Sequence, residues 1–157
     1  MDAKNRELVG ICGIYCGGCP SYLAQVENDV AELEKRARDM GFTLEEVRCN
    51  GCLSDKVMPT CVECRPGFRQ CAREHEVTWC FQCADFPCQR LEDFKDVHVV
   101  DGISHHEHLI DELYCLREHG IEAWLEKREA ESRCPQCGKR LYWFVRTCPD
   151  CGTRVIE

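Results

Sequence analysis

The sequence predicts a small, metal-dominated α-rich (α+β) protein. An irregular cysteine-rich, zinc-binding body with packed helices is expected, followed by a C-terminal β-hairpin zinc ribbon. Three observations carry this. Sixteen of the 157 residues are cysteine, nearly all in short, regular spacings. Apolar residues recur at helical spacing on both sides of the densest cysteine stretch. Two Cys-Pro-x-Cys-Gly knuckles close the chain.

Cysteine at this density marks either a secreted disulfide scaffold or an intracellular metal protein. A C-x-x-C pair places two sulfurs in one tight turn, where both can face one ion. Such pairs make poor partners for two separate disulfides. The start of the chain, Met1-Asp2-Ala3-Lys4-Asn5-Arg6-Glu7, is charged and unlike an export leader. No run approaches the roughly 18 apolar residues of a membrane span. The expectation is a cytoplasmic metal protein with no membrane association. Hydrophobic residues make up 44% of the chain, but that figure includes the cysteines. With those as ligands the apolar core is thin, and metal must supply much of the folding energy.

The net charge of −8 is unevenly spread. Residues 133–157 hold five basic and two acidic side chains, whereas residues 1–132 hold fifteen and twenty-six. The acidic body argues against broad phosphate-backbone binding, and the basic tail leaves that possibility open. The shift in charge and pattern suggests two domains, a metal-binding helical domain at 1–132 and a ribbon at 133–157.

Taken in order, Pro20 and Ser21 open a helix whose apolar positions Tyr22, Leu23, Val26, Val30, Leu33, Ala37 and Met40 share one face. Gly41 stops it. Thr43 and Glu46 form a capping box over one further turn. From Gly41 to Cys88 periodicity is weak, as expected where metal fixes the backbone. Leu91, Phe94 and Val97 mark a short helix. Leu109, Ile110, Leu113 and Leu116 mark another, ending near Gly120, and Ile121, Trp124 and Leu125 begin a third. Leu141-Tyr142-Trp143-Phe144-Val145 has strand character.

The candidate ligands follow from this layout. Cys134, Cys137, Cys148 and Cys151 sit in two knuckles ten residues apart, which predicts one tetrahedral Zn–thiolate site with no open position and hence no catalysis. Arg140, Trp143, Arg146 and Arg154 on this ribbon could stack on bases or grip phosphate, although a purely structural clip explains them as well. Cys115 lies beside Leu113 and Leu116 and reads as a small core residue. Eleven cysteines remain, one short of three closed sites. One grouping joins Cys49/Cys52 to Cys61/Cys64, and Cys71 to Cys80, Cys83 and Cys88. It leaves the triad Cys12, Cys16 and Cys19 with a histidine or water as fourth ligand. His75, His98, His105, His106 and His108 are the candidates, and interleaved pairings stay open. The C-x3-C-x2-C spacing of the triad also occurs in iron–sulfur enzymes, but their large barrel does not fit this length. Three to four zinc ions per chain are expected, with iron–sulfur as the alternative.

The motif order Cys12-Gly13-Ile14-Tyr15-Cys16-Gly17-Gly18-Cys19-Pro20, Cys49-Asn50-Gly51-Cys52, Cys61-Val62-Glu63-Cys64, Cys71-Ala72 and Cys80-Phe81-Gln82-Cys83-Ala84-Asp85-Phe86-Pro87-Cys88 resembles a family of small cysteine-rich prokaryotic proteins of unknown function. The resemblance covers roughly Ile11 to Phe94. It implies zinc binding and brings no activity with it.

No nucleophile–base motif, phosphate-binding glycine loop or dinucleotide fingerprint is present. The reading therefore leans away from an enzyme. It points to a multi-zinc structural or interaction module that presents a helical and ribbon surface to a protein or nucleic-acid partner. The alternatives are a metal enzyme or redox protein using the N-terminal triad, and a thiol-based metal or redox sensor.

Overall fold

The computed structural model describes residues 6–155. Its helices are α1 (Pro20–Val26), α2 (Val30–Met40), α3 (Pro59–Glu63), α4 (Phe68–Glu74), α5 (Gln89–Phe94) and α6 (Leu109–Glu131). Short 3-10 turns at Cys16–Gly18 and Cys80–Gln82 carry cysteines. An antiparallel hairpin of β1 (Val99–Val100) and β2 (Ile103–Ser104) joins α5 to α6.

The expected helix from Pro20 to Met40 is two helices. Asn28 adopts a left-handed φ of 56°, and the Asp29 carboxylate accepts a bond from the Glu32 amide at 3.0 Å, capping α2. A side-chain cap of this kind satisfies an otherwise orphaned amide and fixes a helix start. The predicted stop holds, with Gly41 in the left-handed conformation at φ 72°. Because the chain turns back, Leu33 and Ala37 pack on Ala24 and Val47 in a small second core. Val26 and Val30, at the turn between the helices, stay 48% and 42% exposed. Ser21, fully buried, donates to Met58 Sδ at 3.2 Å and accepts from Arg36 Nε at 2.8 Å, so it joins both helices to the start of α3. The expected capping box forms: Glu46 Oε2 accepts from the Thr43 amide at 2.8 Å, and Thr43 Oγ1 accepts from the Glu46 amide at 3.2 Å.

The main core forms where the loop 8–15 lies across α6. Val9, Leu113 and Trp124 are fully buried there, with Leu116 nearly so. Gly13, at φ 88°, rests so close to α6 that a Cβ would meet Leu113 Cγ at 2.7 Å. Tyr15 meets Trp124 edge-on at 5.8 Å, and its hydroxyl donates to Glu129 Oε2 at 2.8 Å. The break expected at Gly120 is present inside α6, where φ is 85° and ψ 165°.

The segment Leu141–Val145, expected to be a strand, is not one. The Trp143 amide donates to Gly18 O at 3.0 Å, its indole donates to Tyr15 O at 3.0 Å, and Tyr142 OH donates to Asp29 Oδ2 at 2.9 Å. The bonds a hairpin would use go to the body instead, so this aromatic stretch is a docking arm. Among the described residues, pairing in the tail is confined to the isolated bridges Arg133↔Arg140 and Thr147↔Arg154, one beside each knuckle. Among the described residues no helix is long and apolar enough to cross a membrane.

Candidate metal centres

Each C-terminal knuckle is built by the same backbone device. The Cys134 amide donates to Lys139 O at 2.8 Å and the Gly138 amide to Cys134 O at 2.9 Å. Cys148 and Gly152 repeat this with Thr153 O and Cys148 O at 2.8 and 3.0 Å. Gly138 and Gly152 take φ of 76° and 73°, the left-handed conformation glycine adopts without strain. The result brings Cys134, Cys137, Cys148 and Cys151 within 4.8 Å of one another. Across the knuckles, Cys134 Sγ lies 3.5 Å from Cys151 Sγ, and Cys137 Sγ lies 3.6 Å from Cys148 Sγ. Four sulfurs on one zinc at Zn–S of about 2.3 Å sit about 3.8 Å apart. The donor set and its spacing therefore fit one tetrahedral ion.

Two of these thiols are shifted, in opposite directions. Bonds from Thr153, side chain first and then backbone, pull Cys151 down to about 6. The Lys139 amide lowers Cys137, but desolvation and the three neighbouring sulfurs outweigh it and raise this thiol to about 12.

The body cysteines lie where its elements meet. The Cys12–Cys19 loop is pinned by the bridge Val9↔Tyr15 and by the Cys16 amide donating to Leu8 O at 2.9 Å. Cys19 holds the N-cap position of α1, and its thiol is raised by burial against the lowering effect of the Tyr22 and Ser21 amides. The Cys49/Cys52 turn presses against the backbone at Glu7 so closely that a Cβ on Gly51 would lie 2.4 Å from Glu7 O.

The triad does not stand apart. Burial raises the Cys16 thiol well above its ordinary range, and Cys52, Cys19 and Cys49 add to it. Cys61 is exposed as a residue, yet its thiol is raised to about 12 by desolvation beside the neighbouring turns, joined by Cys19, Cys49 and Cys52. Cys12 is raised by burial and then by Cys52, Cys80 and Cys64. The triad thus lies in the electrostatic neighbourhood of Cys49, Cys52 and Cys61.

Farther along, Cys71, Cys80, Cys83 and Cys88 line one cavity of about 30 Å³. Cys80 is pushed to about 12 by burial, followed by Cys88, Cys71 and Cys83. His75 and Asp85 also face this cavity. Together with Cys83 they form the other compact ligand set among the described residues. His75, offered by the sequence as a partner for the triad, instead stands beside Cys83.

The remaining candidate histidines lie away from the cysteines named above, His98 edge-on to His106 at 5.5 Å. His105 stacks on Trp143 at 4.1 Å and meets His106 at 3.8 Å, and His106 stacks on Phe94 at 4.0 Å. Burial pushes His105 and His106 down to about 3 and about 4, so both stay neutral. His108 is exposed and lies 4.0 Å from Asp111. Cys115 lies half-buried in α6 against the main core.

Two basic residues of the tail have partners within the molecule. Arg140 pairs with Glu129 at 3.1 Å, and Arg146 bonds the Asp101 carbonyl. Sequence patterning missed this docking role. The one available signal was a run of aromatics in an otherwise polar tail.

A helical, cysteine-rich protein with clustered thiols able to bind metal is what this fold and these sites define. The chain belongs to the family described as Protein of unknown function (DUF3795), whose model matches residues 8–93. No curated protein and no solved structure matches the chain.

Proposed function

We propose that the chain is a multi-zinc structural and interaction protein. Its cysteines hold three to four ions, and the C-terminal four form a zinc ribbon that clips the tail to the helical body. The observation that carries this is the convergence of Cys134, Cys137, Cys148 and Cys151 within 4.8 Å. A protein partner fits the surface better than nucleic acid. The net charge is −8, and Arg140 and Arg146 are engaged within the molecule. Metal quantification on anaerobically purified protein should return three to four zinc per chain. Iron with matching acid-labile sulfide would overturn the zinc assignment.

One observation favours the iron–sulfur alternative for the body. Among the described residues, no three of its eleven cysteine sulfurs lie within 4.8 Å of one another, although all four of the tail do. A multi-iron cluster holds its thiolates farther apart than one ion does, because each binds a different iron. The same measurement of zinc, iron and sulfide separates the two readings.

A further inference from the structure

His75, Cys83 and Asp85 bring an imidazole, a thiol and a carboxylate together, with their donor atoms all within 4.8 Å of one another. We propose that these three hold one divalent cation of the zinc class and leave its fourth coordination position open to a small ligand from solution. The inference rests on the metal reading above and extends it to a site of mixed donors. It is independent of how the other cysteines group.

The donors come from two segments, each fixed by its own hydrogen bonds. His75 is the C-cap of α4, and its amide donates to Cys71 O at 2.9 Å. Glu76 then takes a left-handed φ of 55°, and the Val77 amide donates to Ala72 O at 2.9 Å, so the chain turns back. Gln82 holds the returning segment, its Oε1 accepting from the Thr78 and Trp79 amides at 2.9 and 3.0 Å. The Cys83 amide donates to Cys80 O at 3.1 Å, and the Phe86 amide donates to Cys83 O at 3.3 Å. Cys83 and Asp85 are thereby set against the end of α4.

His75 Nδ1 lies 3.5 Å from Cys83 Sγ. A tetrahedral zinc with Zn–N of about 2.05 Å and Zn–S of about 2.3 Å sets its nitrogen and sulfur about 3.6 Å apart. A thiol–imidazole hydrogen bond alone would account for that pair but not for the carboxylate. The Asp85 carboxylate has no hydrogen bond or ion pair among the described residues. A cation answers all three groups, because it binds thiolate, imidazole and carboxylate together and offsets the repulsion between the two anions.

No fourth His, Cys, Asp or Glu donor joins the set among the described residues. His75 and Asp85 are exposed, and Cys83 is half-buried. All three line the cavity of about 30 Å³, a space that admits a water-sized ligand. Phe68, Val77, Phe86 and Leu91 give that space apolar walls. Three protein donors with one open position is the arrangement of zinc sites that bind or activate a ligand, whereas a four-thiolate site is closed.

The test uses the full chain, purified anaerobically, as wild type and as His75→Ala and Asp85→Asn. Both substitutions fall on exposed side chains outside the apolar cores. Zinc and iron are measured, and the cobalt(II)-exchanged proteins are titrated with azide while their visible spectra are followed. Each variant should carry about one ion per chain less than wild type. Azide should move the cobalt bands of the wild type and leave those of both variants in place, because the closed tail site has no position to offer. Full metal content in either variant overturns the three-donor site. A wild-type spectrum that azide does not change, or a response that persists in the variants, overturns the open position. A wild type whose single ion is lost in Cys148→Ser overturns this site and leaves the reading of the tail intact. A wild type with no metal overturns the metal reading itself, which is a separate result.

Discussion

Gly17 has no room for a side chain: a Cβ there would sit 2.2 Å from the Tyr15 ring. Tyr15 cannot yield, because it is 5% exposed and its hydroxyl is bound to Glu129. Overpacking of this kind costs about 1–3 kcal/mol, so Gly17→Ala should lower the melting temperature by several degrees in a thermal scan. The cysteines divide by a different criterion. Cys148 is 1% exposed with a second sulfur 3.6 Å away, whereas Cys115 lies half-buried among core residues of α6. Cys148→Ser should remove about one ion per chain, and Cys115→Ser should remove none while costing about 1 kcal/mol of stability. Metal content and a denaturant titration check the pair. The gathering of the four tail sulfurs was legible in the sequence because C-x-x-C spacing is local and each turn brings two sulfurs together. Grouping was not legible, because whether Cys16 meets Cys49 depends on how distant turns dock.

The elements show the same division. Gly41 and the Thr43–Glu46 box were readable because a cap is decided by its own few residues. The break between α1 and α2 was hidden by an apolar stripe that continues through Val26 and Val30, and the left-handed Asn28 decides against it. Leu141–Val145 has strand composition, yet it docks because Gly18 O and Tyr15 O offer its backbone and indole better partners than a hairpin would. Trp143→Ala should therefore detach the tail without emptying it. The ring is half-buried, so the loss should be about 2 kcal/mol, below the 3–5 kcal/mol of a fully buried aromatic. Limited proteolysis should cut the variant after α6 while the tail keeps its ion. The neutral His105 and His106 give the same contact a pH dependence. Burial, then neighbouring histidines, sets their folded values at about 3 and about 4, against 6.5 in the unfolded chain. Above pH 6.5 neither state is protonated and nothing is lost. As the pH falls from 6.5 toward 4, the unfolded chain takes up protons that the folded one refuses, so stability falls. Below about 3 the loss is complete. His106→Gln should flatten the change in melting temperature between pH 7 and pH 5.5, and an unchanged slope would place its origin elsewhere.

At the scale of the whole molecule, the apolar packing that holds the chain is unevenly spread. The second core is four small or medium side chains, Ala24, Leu33, Ala37 and Val47. The long stretch from Cys49 to Cys88 buries few apolar groups of its own, chiefly Met58, Phe68, Ala72 and Trp79. By contrast α6 and the loop 8–15 share a genuine apolar interface around Leu113 and Trp124. Each structural zinc in small domains carries an apparent free energy of about 10–16 kcal/mol. An ordinary domain's total stability is about 5–15 kcal/mol. Losing a single ion is thus enough to unfold whatever that ion alone organises. Once the ions leave, burial favours the protonated form at Cys12 and Cys16, so the empty sites do not also hold buried negative charge. The apo-chain should then be partly ordered. Chelation under reducing conditions should abolish the near-UV signal of Trp79 and Trp143, whose surroundings depend on the cysteine turns, while far-UV helicity from α6 survives in part. Zinc added back should restore both signals. An apo-chain with an unchanged near-UV spectrum and melting temperature would show that the apolar cores suffice, and that the cysteines serve something other than the fold.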